Sequence, residues 1–438
     1  MSSVALEQPR PSWPTLLGVF AVTGYLFGFS WAMSNAQYDV WGAFLVIPVL
    51  AILSIPLLRR AARDEPGLLA VLALGLIVKL LGSVALYALD QQVYTGSSDA
   101  LGYADDGAVY ADQLHAGYLH VSGSLWGTTF IGVVTGLLFY VTGPTALGGF
   151  LVFSWLGFWG LVLFYRAFVL AVPNGDGRRY ARLLFFLPSL AFWSSTIGKE
   201  AWMTLALGLC AYGAARALTD RRGGLLLVAV GVALAALARP HIAPLALIAI
   251  TLAYVVRARG QTRHGALRPL RTLVGITVLI IGCGLVITQA KDYLAVGGVD
   301  SKSIRAVVLE SGQRSTSGGS SFHAHPVASP LDLPQAFVTV LFRPFATEAH
   351  NSQALASAAE GSLLLLLLVA SWPRWSGVLR RLRQAPYVLV SLVTTLLFVY
   401  ALSGYSNFGL LARQRVQVYP FFLVLLALPR PVQKAVDA

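Results

Sequence analysis

GLLAVLALGLIVKLLGSVALYALDQQVYTGSSDALGYADDGAVYAD, residues 67–112, decides the fold class. Its first half, to residue 89, is apolar except for Lys79 and has the ~20 residues that an α-helix needs to cross a bilayer. Its second half turns polar within a few residues. Asp90, Asp99, Asp105, Asp106 and Asp112 alternate with Tyr94, Tyr103 and Tyr110, and Gly96, Ser97 and Ser98 form a turn opening a short helix. A hydrophobic span thus delivers an acidic segment to a membrane surface.

The same alternation runs through the 438 residues. Apolar stretches fall at 14–33, 39–58, 67–89, 145–165, 200–218, 223–238, 242–258, 271–289, 356–372, 386–404 and 413–428, with shorter ones at 126–142, 183–197 and 334–346. Hydrophobic residues make up 56% of the chain and charged residues 12%, a balance that a water-soluble surface does not accommodate. The expected fold is an all-α polytopic transmembrane bundle of roughly eleven to thirteen spans. Residues 1–66 form an N-terminal transmembrane pair and 67–438 the main module. The first span is read as a retained anchor rather than a signal peptide because of its length and its aromatic flank.

A formal charge of +13 raises nucleic acid as a partner, but the positions of the basic residues exclude it. They lie in short connections: Arg59, Arg60 and Arg63; Arg166, Arg178, Arg179 and Arg182; Arg221 and Arg222; Arg257, Arg259, Arg263, Arg268 and Arg271; Arg374, Arg380, Arg381 and Arg383; Arg430 and Lys434. The positive-inside rule places them in the cytoplasm. Alternation of crossings then requires that 126–142 and 334–346 do not fully cross. Cys210 and Cys283 fall inside spans and read as small buried residues.

With the basic loops inside, the unusual polar motifs share the other face. FWSSTIGKE (192–200) carries Lys199 and Glu200 at the mouth of a helix, where the dipole favours an anion. ARPH (238–241) is a tight turn offering Arg239 and His241. The loop 290–333 is read as a long irregular cover; its His323 and His325 lack a third metal ligand. LFRPFATEAHN (341–351) holds Arg343 at a helix break, with Glu348 behind it. GYSNFGLLARQRVQ (404–417) contributes Asn407 and puts Arg413 and Arg415 at an outer helix end, against the charge trend. A carboxylate on such a surface can take a proton from a hydroxyl or hold a divalent ion. Arginine's planar fork suits phosphate. Acids beside arginines at the outer face suit a reaction on a lipid-linked phosphate.

The order of these motifs, an acidic Asp-x-x-x-Tyr loop after an early span, Gly143-Pro144, a Pro-Ser turn before a charged helix start, and the ending ARQRVQVYPFFLVLLALP, resembles the GT-C superfamily of polytopic glycosyltransferases. FWSSTIGKE, FRPFATE and NFGLLARQR more specifically resemble a group of poorly characterised bacterial multi-pass proteins, over most of residues 67–428. The resemblance implies a sugar donor linked to polyprenyl phosphate, a glycan or protein acceptor in the cell envelope, and an active face outside the cytoplasmic membrane. It places the base or metal ligand, with Mg or Mn as the possible ion, at Asp99, with Asp105 and Asp106 as substitutes. Glu200 is then a further polar catalytic group, and Tyr103, Lys199, Arg239, His241, Arg343, Glu348, Asn407, Arg413 and Arg415 are substrate contacts. The chain departs from the superfamily in having two extra spans ahead of the one that leads into the acidic loop, and no large soluble domain after the last span.

Three other readings compete. A polysaccharide polymerase or ligase using lipid-linked oligosaccharides relies more on the arginines and needs no metal. A transporter or flippase places ionisable residues near the middle of its spans, where Lys79 alone is expected. A non-catalytic assembly protein tolerates loss of Asp99 and Arg343.

Overall fold

Helix is the only regular structure among the described residues, and the reason lies in the apolar runs: a backbone surrounded by hydrocarbon has to satisfy its polar groups within the segment. The computed structural model describes residues 13–65, 67–94, 98–260, 268–294, 301–315, 320–375 and 378–430. Gly96, Ser97, Arg263, Lys434 and residues 316–319 of the long loop lie outside them. Among the described residues, extended pairing is confined to one antiparallel bridge between Ser321 and Asn407.

Among the described residues, six helices have the length and apolar composition to cross a membrane: Tyr38–Ala61, Leu68–Gln92, Ala146–Ala171, Lys199–Leu218, Leu273–Lys291 and Ser352–Ala370. Thr128–Thr142, Gly224–Ala238, Ala243–Arg257, Pro330–Phe342 and Pro386–Leu402 are apolar but shorter. The chain is an all-α polytopic protein, with fewer helices of full spanning length among the described residues than its apolar stretches promise. Those stretches are interrupted by turns. The run at 413–428 divides into Phe408–Gln414, a 3₁₀ turn Arg415–Gln417 and Tyr419–Leu426. Arg239-Pro240 likewise ends Gly224–Ala238.

Lys199–Leu218 is the central helix, packed between Ala146–Ala171 and Gly224–Ala238. Glycines let these backbones touch. A Cβ at Gly160 would stand 2.3 Å from the Thr204 carbonyl oxygen, and one at Gly208 would stand 2.4 Å from that of Gly160. The N-terminal pair adds a small separate cluster, Ala43, Val46 and Leu50 against Leu147 and Leu151. The outer surface exposes Phe20, Phe27, Ile52, Leu81, Leu226, Leu285 and Leu366. Apolar surface on that scale is suited to contact with a lipid bilayer.

The ends of the bundle differ in charge chemistry. At one end Arg257 donates to the Ala217 carbonyl at 2.6 Å and pairs with Asp220, Arg374 pairs with Asp176 at 3.0 Å, and Arg179 donates to Ser371 at 2.8 Å. At the other end stand Asp39, Asp99, Lys199, Glu200, Arg239 and Arg413. Thr128–Thr142 has both of its ends here: the Gly127 amide donates to the Leu237 carbonyl at 2.8 Å, and the Tyr38 hydroxyl donates to that of Thr142. This 15-residue helix therefore lies across the end of the bundle, packed along Asp99–His115.

Leu333–Phe342 penetrates only part way. Its last carbonyl, on Phe342, lies 2.1 Å from the position of a Cβ on Gly361, midway along Ser352–Ala370. The chain then turns at Arg343-Pro344 and returns to Asn351. The loop 290–333 departs from its expected irregularity, because it contains the helix Ser301–Arg314, which packs by Gly312 and Val308 onto Gly404.

Candidate functional site

The acidic segment is held by its own turn. Ser98 caps helix Asp99–His115, its hydroxyl oxygen accepting from the Leu101 amide at 3.3 Å while the hydroxyl donates to Asp90 at 2.8 Å. Asp90 is therefore not a loop acid: it sits in the last turn of Leu68–Gln92, buried, and anchors the cap. Asp99 becomes the first residue of its helix, where the dipole favours a carboxylate.

Arg413 reaches it from the opposite end of the sequence. Both terminal nitrogens of Arg413 lie 3.1 Å from Asp99 Oδ2, and Nη2 lies 3.4 Å from Glu200 Oε1. Arg413 rides on Phe408–Gln414, whose N-terminus is capped by Asn407: its Oδ1 accepts from the Gly409 and Leu410 amides at 2.9 and 3.1 Å. Glu200 Oε1 also accepts from Arg239 Nη2 at 2.8 Å. The other Arg239 nitrogen donates to Gln414 Oε1, which also accepts from Gln417 at 3.0 Å. Lys199 donates to Thr128 at 3.0 Å, tying the crosswise helix to the cluster.

The site has a buried foundation and an accessible rim. The side chains of Glu200 and Arg239 are 2% and 7% exposed, those of Arg413 and Asp99 30% and 64%. Tyr103, one turn beyond Asp99, is buried, and burial reinforced by Glu200 pushes its phenol up to about 12. Burial, with the charges of Arg239 and Lys199 beside it, pushes the His241 imidazole down to about 3. Near neutral pH both side chains are uncharged.

Seven sequence-predicted residues thus come together: Asp99, Tyr103, Lys199, Glu200, Arg239, His241 and Arg413. Asp105 and Asp106 do not. They are exposed and lie about 10 Å further along the helix axis, with Asp106 against Gly132. Asn407 is occupied in capping and by Ser320, whose hydroxyl donates to it at 3.1 Å.

Arg343, Glu348 and Arg415 form a second group. Arg343 Nε donates to both oxygens of Glu348, at 3.0 and 3.1 Å, and Nη2 makes a further bond to it. That pairing holds the Glu348 carboxyl below its usual range. The guanidinium of Arg343 lies 4.8 and 5.3 Å from the ring centres of Phe322 and Phe408, which stack on each other at 4.1 Å. Arg415, expected at an outer helix mouth, is fully buried. It donates to the Arg343 carbonyl at 2.6 Å and lies over the Tyr419 ring, and its Nε and Nη2 are without hydrogen-bond partners among the described residues. Glu360 Oε1 is likewise unpartnered, while Oε2 accepts from the Ser189 amide at 2.7 Å. Glu360 lies within an apolar run and Gln414 and Thr128 carry no charge, which is why none of the three stands out in the sequence.

The donor set does not suit a divalent ion at Asp99. Of the carboxylates near it, Asp90 is buried and engaged by the Ser98 hydroxyl, and the Arg413 guanidinium occupies the space between Asp99 and Glu200. No group of three or more His, Cys, Asp or Glu converges among the described residues. The arrangement suits proton acceptance and anion contact. Among the described residues Asp99 Oδ1 makes no hydrogen bond, while Oδ2 is fixed by an arginine that is itself held from beneath. The chain matches no protein-family model, no curated protein and no solved structure.

Proposed function

We propose that this protein is an integral membrane glycosyltransferase that moves a sugar from a polyprenyl-phosphate donor to a cell-envelope acceptor, at the extracytoplasmic face of the cytoplasmic membrane. The observation that carries the reading is the meeting of Asp99 and Arg413. An acid from the first large polar segment and an arginine from the last apolar segment, 314 positions apart, share one contact on a buried Glu200–Arg239 base. The basic connections gather at the other end of the bundle, which supports the proposed orientation.

In the proposed step the acceptor hydroxyl oxygen attacks the sugar's anomeric carbon. Asp99 Oδ1 takes the hydroxyl proton as the new glycosidic bond forms. The bond from the anomeric carbon to the phosphate oxygen breaks, and polyprenyl phosphate leaves with the electron pair. Arg413 turns from Asp99 to the departing phosphate, a pre-placed charge that meets negative charge as it develops. Glu200, flanked by Arg239 and Arg413, holds Arg413 in position rather than reacting. The lipid tail lies along the apolar outer surface. The test is transfer of label from polyprenyl-phosphate sugars by purified protein. Loss in Asp99→Asn and in Arg413→Met, with folding intact, supports the step; full activity in either variant removes that residue from it.

A second reading, as a transporter or flippase, draws on ionisable residues found at mid-depth. Lys79, Glu360 and Arg415 all lie well inside the bundle. Lys79 is fully engaged, donating to the Leu190 and Ser194 carbonyls at 2.8 Å each and to the Ser194 hydroxyl at 2.6 Å. That engagement gives it the geometry of a brace rather than of a carrier site. Flux of a lipid-linked sugar across vesicles without transfer of label would favour transport.

A further inference from the structure

A cavity of about 230 Å³ opens beside the Arg343–Glu348 pair. Ser321, Phe322, Thr347, His350, Asn351 and Phe408 are among its lining residues. It is smaller than the roughly 300–1,000 Å³ of sites for drug-sized ligands, so it takes one ring rather than a chain. Its wall carries one carboxylate, that of Glu348, and this is committed to the fork of Arg343 behind it, so the two charges cancel. What remains open is a set of uncharged hydrogen-bonding groups. The hydroxyls of Ser321 and Thr347 and the imidazole of His350 make no hydrogen bond among the described residues. The Asn351 carbonyl caps Ser352–Ala370 through the Ala354 amide at 2.7 Å, which leaves its NH₂ as a donor. Phe322 and Phe408, stacked on each other, supply apolar carbon to its wall. Apolar carbon on one side and several uncharged donors and acceptors on the other match a saccharide ring, whose C–H face is apolar and whose rim is hydroxyl. A site built to bond hydroxyls also discriminates strongly against ligands that lack them.

The cavity adjoins the Asp99 cluster. Phe408 in its wall and Arg413 in the cluster belong to one short helix, five residues or about 7.5 Å of rise apart. The Tyr94 hydroxyl, ahead of Asp99, donates to Gln353, next to the cavity wall, at 3.2 Å. We propose that this cavity is a saccharide-binding site that seats a single neutral sugar ring of the acceptor, next to the Asp99–Arg413 pair. The word acceptor rests on the transferase reading; the binding of a neutral sugar ring does not.

The test is saturation-transfer NMR on the full chain in nanodiscs, with methyl glycosides of hexoses and pentoses as probes and inorganic phosphate as an anionic competitor. Ala354→Trp and Thr347→Trp fill the cavity from two sides without removing a hydrogen bond, and each is checked for an unchanged melting temperature. The expected result is glycoside signal in the wild type and in Asp99→Asn, loss of at least tenfold in whichever tryptophan variants fold, and no displacement by phosphate. Signal from no glycoside, signal unchanged in a folded tryptophan variant, or full displacement by phosphate overturns the proposal. Glycoside binding without any label transfer overturns the transferase and leaves the cavity assignment standing. Label transfer without glycoside binding does the reverse.

Discussion

Replacing Glu200 by Gln keeps the size of the side chain and removes the negative charge on which two arginines converge. Glu200 and Arg239 are almost fully buried, so neither loses its charge into water when the partner disappears. Breaking one side of such a pair costs about 3–5 kcal/mol, because an uncompensated buried charge remains. Arg239→Met should cost a similar amount, since it leaves Glu200 with only the longer 3.4 Å contact to Arg413 and takes from Gln414 Oε1 one of its two donors, Gln417 remaining. The double variant should cost less than the sum of the two, with a coupling of about 1–3 kcal/mol. Asp99→Asn is the internal contrast: its side chain is 64% exposed, and an ion pair of that kind contributes about 0–1 kcal/mol. Unfolding by SDS in mixed micelles, followed by tryptophan fluorescence, measures all four proteins on one scale. If Glu200→Gln costs no more than Asp99→Asn, or if the two buried substitutions simply add, the cluster does not rest on a desolvated pair and the reasoning fails.

Other predictions use the same measurement. Lys79→Met removes three hydrogen bonds and leaves the Ser194 carbonyl unpaired, and should destabilise by about 1–3 kcal/mol; a neutral result would mean that Lys79 is not a brace. Gly208→Ala forces apart the backbones of Lys199–Leu218 and Ala146–Ala171, at about 1–3 kcal/mol, and a silent substitution would contradict the close crossing. The His241 imidazole is depressed in the folded state, so its stabilising contribution is fully present above pH 6.5 and is lost as pH falls toward about 3. Unfolding free energy should therefore drop between pH 7 and pH 5, and His241→Gln should flatten that drop. Equal slopes in the two proteins would show that the imidazole titrates freely.

The membrane character and the gathering of polar motifs at one end were legible because hydrophobic length and arginine placement are local signals. The count of spans was not. Whether GLLARQRVQVYPFF runs as one helix or breaks at Arg415 depends on Arg415 finding the Arg343 carbonyl and the Tyr419 ring, neither of which hydropathy registers. In the site, Glu200 and Arg239 stood out as charges at helix mouths. Arg415 was misplaced at the surface although the sequence held a warning: residues two apart on a helix face different ways, so Arg413 and Arg415 could not both point at the same ligand. Arg343 looked like a free phosphate contact because its partner, Glu348, is five residues away across a chain reversal. Asp90 looked like one more loop acid because the apolar run before it gives no sign that the helix continues to Gln92. Glu360 was hidden for a related reason, since one acid in ASAAEGSLLLLLL reads as a span boundary until folding sets it opposite Arg415.

The most direct test of the central claim is transfer of radiolabelled sugar from polyprenyl phosphate by the purified full chain, comparing wild type, Asp99→Asn and Arg413→Met at matched stability. The account predicts transfer by the wild type and a fall of roughly 100-fold or more in both variants, consistent with loss of a proton acceptor and of a group that stabilises developing charge. Transfer at wild-type rates by either variant, or no transfer from any such donor by the wild type, would contradict it.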